Sequence, residues 1–411
     1  MDMQSKAKKL IEMIQTASVE WKPLGEVFDL KNGYTPSKSI KEYWENGSIP
    51  WFRMEDIREN GRILDSALQQ ISESAIKGGK LFPANSIIMA TSATIGEHAL
   101  ITVPFLANQR FTNLSLKPGF TDKFNIYFLY YYCFNLSEWC KKNTTTSSFA
   151  SVDMSGFKRF PIPIPPLETQ QKIVKILDKF TELEATLEAE LALRKRQYRY
   201  YRDFLLDFDN QIGGGIVDGY KGRLKDVVWK TLGEVGMLIR GNGLQKKDFT
   251  EDGIPAIHYG QIYTHYGTFA SKTKSFVSTR LAEKLKKAQY GDVLIAGTSE
   301  NIQDVMTPVG WLGGEIVFSG DMFAFRPNTE INTKYLTYML QTTMFQKYKE
   351  KYAQGTKVIR VKGENFLKFE IPIPPLAEQE KIVAILDKFD TLTHSISEGL
   401  PHEIALRRKQ Y

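Results

Sequence analysis

At 411 residues the chain has room for two to three domains, each with a core of its own. Hydrophobic residues make up 42% and charged residues 25%, ordinary proportions for a globular protein, which excludes a disordered or fibrous chain. The 54 Lys and Arg against 47 Asp and Glu leave a net charge of +7, which favours an acidic partner, nucleic acid foremost.

Residues 1–20 read as a short amphipathic helix, because "MDMQSKAKKLIEMIQTASVE" lacks the apolar core of a signal peptide. No run in the chain approaches the length of a membrane span, so no membrane association is expected. Residues 21–162 follow as a mixed α/β unit. It opens at "WKPLGEVFDL" from Trp21, and "SIIMATS" reads as an apolar strand running into a small, polar loop. The stretch "IYFLYYYCFNLSEWC" reads as a helix that carries the two cysteines, Cys133 and Cys140. On a helix their Cα atoms would lie about 10 Å apart along the axis, too far for a disulfide. Both thiols are expected to be reduced, in a cytoplasm.

The unit ends at "IPIPPLETQQKIVKILDKF", from Ile162. Alternating Ile and Pro forces an extended segment, since each proline biases its predecessor away from helix. Pro165-Pro166 then sit where the first helical position tolerates a missing N–H. A long helix is predicted over 163–210, with an apolar seam of Ile173, Ile176, Phe180, Leu183, Leu187 and Leu191. Residues 211–228, within "DNQIGGGIVDGYKGR" and beyond, read as a flexible linker.

The plan then repeats. "WKTLGEVGML" from Trp229 matches the opening of the first unit, "DVLIAGTS" matches "SIIMATS", and "IPIPPLAEQEKIVAILDKF" returns 209 residues after its first copy. The second unit is therefore placed at 229–371 and its helix at 372–411. Its seam is Ile382, Ile385, Phe389, Leu392, Ile396 and Leu400, spaced as in the first. Four residues are added around "SEGLPHE", so Gly399 and Pro401 are expected to kink or break this helix. The fold class is read as α+β: two similar α/β domains joined by two long antiparallel coiled-coil helices, in a pseudo-twofold internal repeat. The alternative is that each helix packs on its own domain.

A catalytic centre is not visible. No Asn/Asp-Pro-Pro-aromatic motif, P-loop or HExxH occurs; "RGNGLQ" lacks the third glycine of a dinucleotide fingerprint; and His258 and His265 have no further ligand to support a metal. The loops are richer in groups that suit DNA. Arg and Lys fit guanine, Asn and Gln fit adenine, and Ser, Thr or Lys fit phosphates. The candidates in the first unit are Lys31, Tyr34, Arg53, Thr91, Ser92, Thr94, Gln109, Arg110 and Ser147. Those in the second are Arg240, Asn242, Lys246, His258, Tyr259, Gln261, Thr298, Ser299, Gln303, Lys357 and Arg360. Arg53, Gln109, Arg110, Arg240, Gln261 and Arg360 lead as base readers. The basic runs "RKRQYRYYR" and "RRKQY" offer Arg194, Arg196, Arg407 and Arg408 for partner docking, against the plainer reading of a soluble helix face.

The doubled "PLGEV" opening, the doubled Pro-Pro-Leu-x-x-Gln joint with Gln170 and Gln379, and the closing "ISEGLPHEIALRRKQY" resemble the DNA specificity subunits of type I restriction–modification systems over essentially the whole chain. The resemblance implies two target-recognition domains, each reading one half of a bipartite double-stranded DNA site, with the paired helices setting an unread spacer. It implies a non-catalytic chain that docks two methyltransferase subunits and is joined by motor–endonuclease subunits. S-adenosylmethionine, Mg and ATP would then belong to those partners and no cofactor to this chain. The family pattern would also carry the last helix beyond Tyr411. Two other functions compete: a self-sufficient methyltransferase or nuclease, and a protein-binding scaffold without DNA affinity.

Overall fold

The computed structural model describes residues 18–145, 150–208, 227–395 and 397–410. The N-terminal segment up to residue 17, most of the glycine-bearing linker, Ser147 and Ile396 lie outside the described residues. The chain divides into two units, one up to Glu182 and one from Leu183, the boundary falling inside the first long helix.

In the first unit the Ile-Pro-Ile segment is a strand. Pro161–Ile164 pairs antiparallel with Glu20–Pro23, so the first and last strands of the unit close on each other. The prolines limit this pair to two strands, because they offer no N–H to a further neighbour. A five-stranded sheet follows, in the order Phe28–Asn32, Phe111–Leu116, Ser86–Ala90, His98–Ile101, Ile63–Leu64. A three-stranded sheet has Ile49–Phe52 between Gln70–Ile71 and Leu106–Ala107. Successive side chains of a strand point to opposite faces. Accordingly Ile87 and Met89 pack under the helix Ile126–Lys142, while Ile88 and Ala90 face the smaller sheet and its Trp51 and Phe52. The central strand is buried on both sides, which explains its unbroken apolar sequence. Cys133 and Cys140 are free and buried on that helix, and burial pushes both thiols well above their ordinary range.

The second unit repeats this order. Its larger sheet runs Gly236–Arg240, Met322–Pro327, Val293–Ala296, Pro308–Trp311, Phe269–Ala270. Its smaller sheet runs Ser275–Val277, Ile254–Ile257, Ile316–Phe318 and gains an edge strand, Lys287–Ala288. The closing pair is Val228–Thr231 with Glu370–Ile373, in the register of its counterpart: Trp229 faces Pro372 as Trp21 faces Pro163. Two helices, Thr333–Met339 and Thr343–Tyr352, stand where the first unit has one.

The Pro-Pro-Leu-x-x-Gln joint has the same hydrogen bonds in both copies. Gln170 is fully buried; its Oε1 accepts from the Asn125 N–H (2.8 Å), and its Nε2 donates to the carbonyls of Lys123 (2.9 Å) and Pro165 (2.8 Å). Gln379, equally buried, accepts from the Asn332 N–H (2.8 Å) and donates to Glu330 (2.8 Å) and Pro374 (2.9 Å). One turn or two further on, the Tyr131 hydroxyl donates to Asp178, and the Tyr338 hydroxyl to Asp387, each at 2.7 Å. Asn125 and Asn332 are the N-caps of the helices that carry those tyrosines. The joint thus pins the start of each long helix to the helix beneath it.

This corrects part of the seam. In both copies the first turns of the helix serve their own unit: Val174 is core in the first, and Ile382, Val383 and Leu386 are core in the second. Ile385 and Leu183, both assigned to the seam, are 39% and 38% exposed. Helix pairing begins later. The first helix, Leu167–Leu206, is unbroken for 40 residues, and its distal half lies in the second unit. There Tyr201 stacks on Phe389, Tyr198 meets His394 edge-on, and Arg408 pairs with Glu184 and Glu188. As one helix advances from 389 to 408 its partner recedes from 201 to 184, so the pairing is antiparallel. The second helix ends at His394, and a new one starts at Gly399, whose φ of +75° is a left-handed conformation that glycine adopts without strain. Pro401 sits in the first turn of this new helix, where it is tolerated.

Candidate nucleic-acid interface

Three leading candidates of the first unit converge. Arg53 follows the strand Ile49–Phe52 and precedes the helix Met54–Asn60, while Gln109 and Arg110 lie in the turn before the strand Phe111–Leu116. With Lys38, Lys41 and Trp44 they line a cleft of about 590 Å³. The Arg53 guanidinium carbon is 5.6 Å from the Trp51 ring centroid, a cation–π contact that orients the fork. Its Nε is buried without a hydrogen-bond partner, and Glu55 stands 4.0 Å away. Gln109 accepts from the Thr35 hydroxyl, and the Arg110 side chain is exposed. Lys41 and Trp44 were missed in the sequence, where "KEYW" gives no sign that it forms a turn against this cleft.

The remaining candidates of this unit fall elsewhere. The Tyr34 hydroxyl donates to the Ala75 carbonyl (3.2 Å) and accepts from the Lys77 N–H (2.8 Å), so it braces a loop instead of facing outward. Thr91 exchanges a hydrogen bond with Thr112 (3.0 Å), and its N–H donates to the Arg110 carbonyl (3.0 Å), which ties this loop to the cleft wall. Ser92 bridges to Ser151, Thr94 has a buried hydroxyl with no partner, and Lys31 is exposed on the sheet's edge strand.

In the second unit Arg240, Thr298 and Arg360 share a cleft of about 380 Å³ with Asp321, Lys362 and Glu364. Thr298 and Ser299 pair with Arg360 and Ile359 in a short antiparallel ribbon, which brings two distant loops together. Both Thr298 and Ser299 are buried, and the Tyr263 hydroxyl donates to the Thr298 carbonyl (2.6 Å). Lys362 was missed: with Gly363 and Glu364 beside it, it reads as ordinary solvated charge, and only the structure brings it to the cleft.

Several candidates here are occupied by structural work. Gln261 is a cap: its Oε1 accepts from the His258 N–H (2.9 Å) and its Nε2 donates to Ser275 (2.7 Å), so both ends of the amide are engaged. His258 is buried, its Nδ1 accepts from the Gly260 N–H (3.3 Å), and burial, with Lys246 nearby, lowers its pKa. The Tyr259 N–H donates to Ser319 (3.1 Å), and its ring packs on the core of the smaller sheet. Asn242 clasps a loop, donating to the Lys284 carbonyl (2.9 Å) and accepting from the Lys286 N–H (2.7 Å). Lys246, Gln303 and Lys357 are exposed, and the Gln303 carbonyl accepts from the buried Lys349 ammonium (2.6 Å).

The docking arginines divide as well. Arg408 is held by Glu184 and Glu188 of the paired helix, Arg407 by Glu403, and Arg194 by Glu190 and Gln197. These contacts stabilise the helices and leave Arg196, exposed and without an ion pair among the described residues, as the free cation of the four.

Comparisons with known proteins bear on both units. A family model described as the type I restriction modification DNA specificity domain matches the chain twice, at residues 18–193 and 225–406. The EcoprrI type I restriction enzyme specificity subunit of Escherichia coli is 45% identical over 405 residues, 96% of this chain and 93% of that one. The EcoR124I/EcoR124II specificity subunit of Escherichia coli is 30% identical over 440 residues, 99% of this chain and 95% of that one. Among solved structures, a chain from work on complex assembly and conformational transition of the type I R-M system superposes with a TM-score of 0.59. It covers 95% of each chain at 18% identity, a likeness of fold alone.

Proposed function

The chain belongs to the family of type I restriction–modification DNA specificity subunits, and from that premise we propose that each of its two units reads one half of a bipartite double-stranded DNA site. One observation carries the proposal: two units with a common scaffold, down to the hydrogen bonds of Gln170 and Gln379, present different cationic clefts. A scaffold kept twice with its outward groups changed is what two unlike half-sites demand. Arginine forks and amides at the cleft mouths suit base edges in the major groove, and the surrounding lysines suit phosphates.

The chain itself is the non-catalytic adaptor. Two methyltransferase subunits dock on the helices and the faces beside them, and motor–endonuclease subunits complete the restriction assembly. S-adenosylmethionine, Mg and ATP are held by those partners. The assembly works in the cytoplasm, where the DNA is and where Cys133 and Cys140 stay reduced. No helix among the described residues is long and apolar enough to cross a membrane.

The test is a methylome. Cells expressing this chain with its methyltransferase partner should carry methylated adenines within one two-part sequence. Replacing residues Gly33–Ile162 with the equivalent unit of a relative should change one half of it only. A change in both halves would refute the modular reading.

A further inference from the structure

The backbone hydrogen bonds align the two units position by position. The Asn108 N–H donates to the Phe52 carbonyl (3.0 Å) as Ser319 does to Ile257 (3.1 Å). The Thr91 N–H donates to the Arg110 carbonyl (3.0 Å) as Gly297 does to Asp321 (2.8 Å), and Gly33 to Phe111 (2.9 Å) as Gly241 to Met322 (3.0 Å). Ser92 bridges Ser151 where Thr298 pairs with Arg360. These matches set Arg53 against His258, Arg110 against Asp321, Asn32 against Arg240 and Ser151 against Arg360. Every cleft arginine of one unit has a counterpart in the other that is not an arginine.

We infer that the two units read guanine from non-equivalent corners of the same fold: the first through Arg53, at the mouth of its helix Met54–Asn60, and the second through Arg240 and Arg360, at the ends of its strands. The inference rests on the base-reading role proposed above and assigns its chemistry. A guanidinium fork matches the O6 and N7 acceptors that guanine shows in the major groove. Arg53 lines the cleft with its plane oriented by Trp51; its Nε is buried, 4.0 Å from the Glu55 carboxylate, so the two terminal nitrogens are the pair left for a base. Its counterpart His258 is buried and spends Nδ1 on the Gly260 N–H, so the second unit has no fork at that corner.

At the other corner the roles reverse. Arg240 and Arg360 are exposed and form no ion pair among the described residues, although Asp321 and Glu364 line the same cleft. Their counterparts in the first unit are committed: the Asn32 side-chain Oδ1 accepts from the Thr112 hydroxyl (2.9 Å), and the Ser151 hydroxyl shares a hydrogen bond with the Thr145 hydroxyl (2.9 Å). Where the first unit offers Arg110, the second offers the Asp321 carboxylate, an acceptor that repels phosphate. The cationic corner has moved across the fold, so aligned residues do not read aligned bases.

The experiment maps methylated adenines genome-wide in cells expressing the whole chain and its methyltransferase partner. Arg53→Ala should relax one guanine position, in one half-site only, by about 10- to 100-fold in discrimination. Arg240→Ala or Arg360→Ala should relax guanine in the other half. Ser151→Ala and Asn32→Ala, at the counterpart corner, should leave the guanine positions of their half intact. Relaxation at an A·T pair, or loosened guanine in Ser151→Ala or Asn32→Ala, would overturn the assignment while leaving base reading standing. An unchanged methylated sequence in all three arginine variants, with methylation persisting, would overturn guanine reading by these arginines, whereas base reading by the units falls only if the unit exchange described above also leaves both halves of the sequence unchanged. If Arg53→Ala abolishes methylation, Arg53→Gln decides, because it keeps a polar side chain at the position, loses the fork and suits adenine instead of guanine. Relaxed guanine there supports the inference, and full stringency overturns it.

Discussion

The joint and the cleft of each unit lie on one scaffold and have different histories written in their atoms. At the joint, Gln170 and Gln379 make the same three hydrogen bonds to the same three backbone positions. At the cleft, Arg53 and His258 hold the same helix-capping position, each donating its N–H to the side chain three residues on, but their own side chains are put to different uses. The difference teaches where sequence is free to vary. A buried amide with every donor and acceptor engaged tolerates no substitute, whereas an exposed fork answers only to its ligand. The sharpest way to break the comparison is therefore at the joint. Gln170→Ala would strand the Asn125 N–H and two carbonyls in a dry interior and should cost about 4 kcal/mol of its unit's stability, read as a shifted urea midpoint. Gln379→Ala should cost the second unit the same. A large loss in one and a small loss in the other would mean that the joints are equal in geometry only.

A smaller effect separates the units by pH. His98 is buried in the central sheet of the first unit, and its strand partner Met89 corresponds to Ile295, whose partner is Pro308. Burial, helped by Arg62, lowers the His98 pKa to about 4. In the unfolded chain the ring titrates near its ordinary 6.5, so between these values the unfolded state holds a proton that the folded state does not. Stability is then fully present above pH 6.5 and is lost as pH falls toward 4. The first unit should lose about 2 kcal/mol between pH 7 and pH 5 through this group, measured by urea unfolding at each pH. His98→Gln should flatten that dependence. The second unit, with proline at the matching place, should show less, although His258 is also lowered by burial and adds a part.

What the sequence made legible follows the same division. The repeat, the closing strand and the glutamine joint were readable because a packed joint fixes residue type at fixed spacing, and both copies obey the same constraint. The break before Gly399 was readable because a proline and a glycine have few ways to be accommodated in a helix. The apolar seam was read too generously: a spacing of three and four residues serves a helix lying on its own domain as well as one lying on another helix, and Ile382 does the former. Gln109 and Gln261 show the limit for the site. Both are amides in polar stretches, yet one lines a cleft and the other caps a helix with both ends engaged. No local pattern separates them, since capping and base reading ask for the same donors and acceptors. Arg53 and Arg360 were singled out in the sequence and do line clefts, while Lys41 and Lys362, which line them too, passed for solvated charge.

The smallest effect concerns the helices, where Arg408 and Arg196 look alike in sequence and differ in setting. Arg408 joins Glu184 and Glu188 of the paired helix, and Arg196 is exposed without an ion pair among the described residues. Exposed ion pairs are worth little, because water screens them and the side chains lose freedom in forming them. Arg408→Ala should therefore cost about 0.5 to 1 kcal/mol, and less at high salt. Charge reversal, Arg408→Glu, should cost somewhat more by setting three carboxylates together. Arg196→Glu should leave the unfolding curve in place. Its effect, if the basic run docks a partner, falls on co-purification with the methyltransferase subunit, and if the run contacts phosphates, on DNA affinity and its salt slope. Equal loss of stability in both variants would show that position on the helix does not distinguish them. The division between scaffold and outward-facing groups, so plain at Gln170 and Arg53, would then stop at the edge of the globular units.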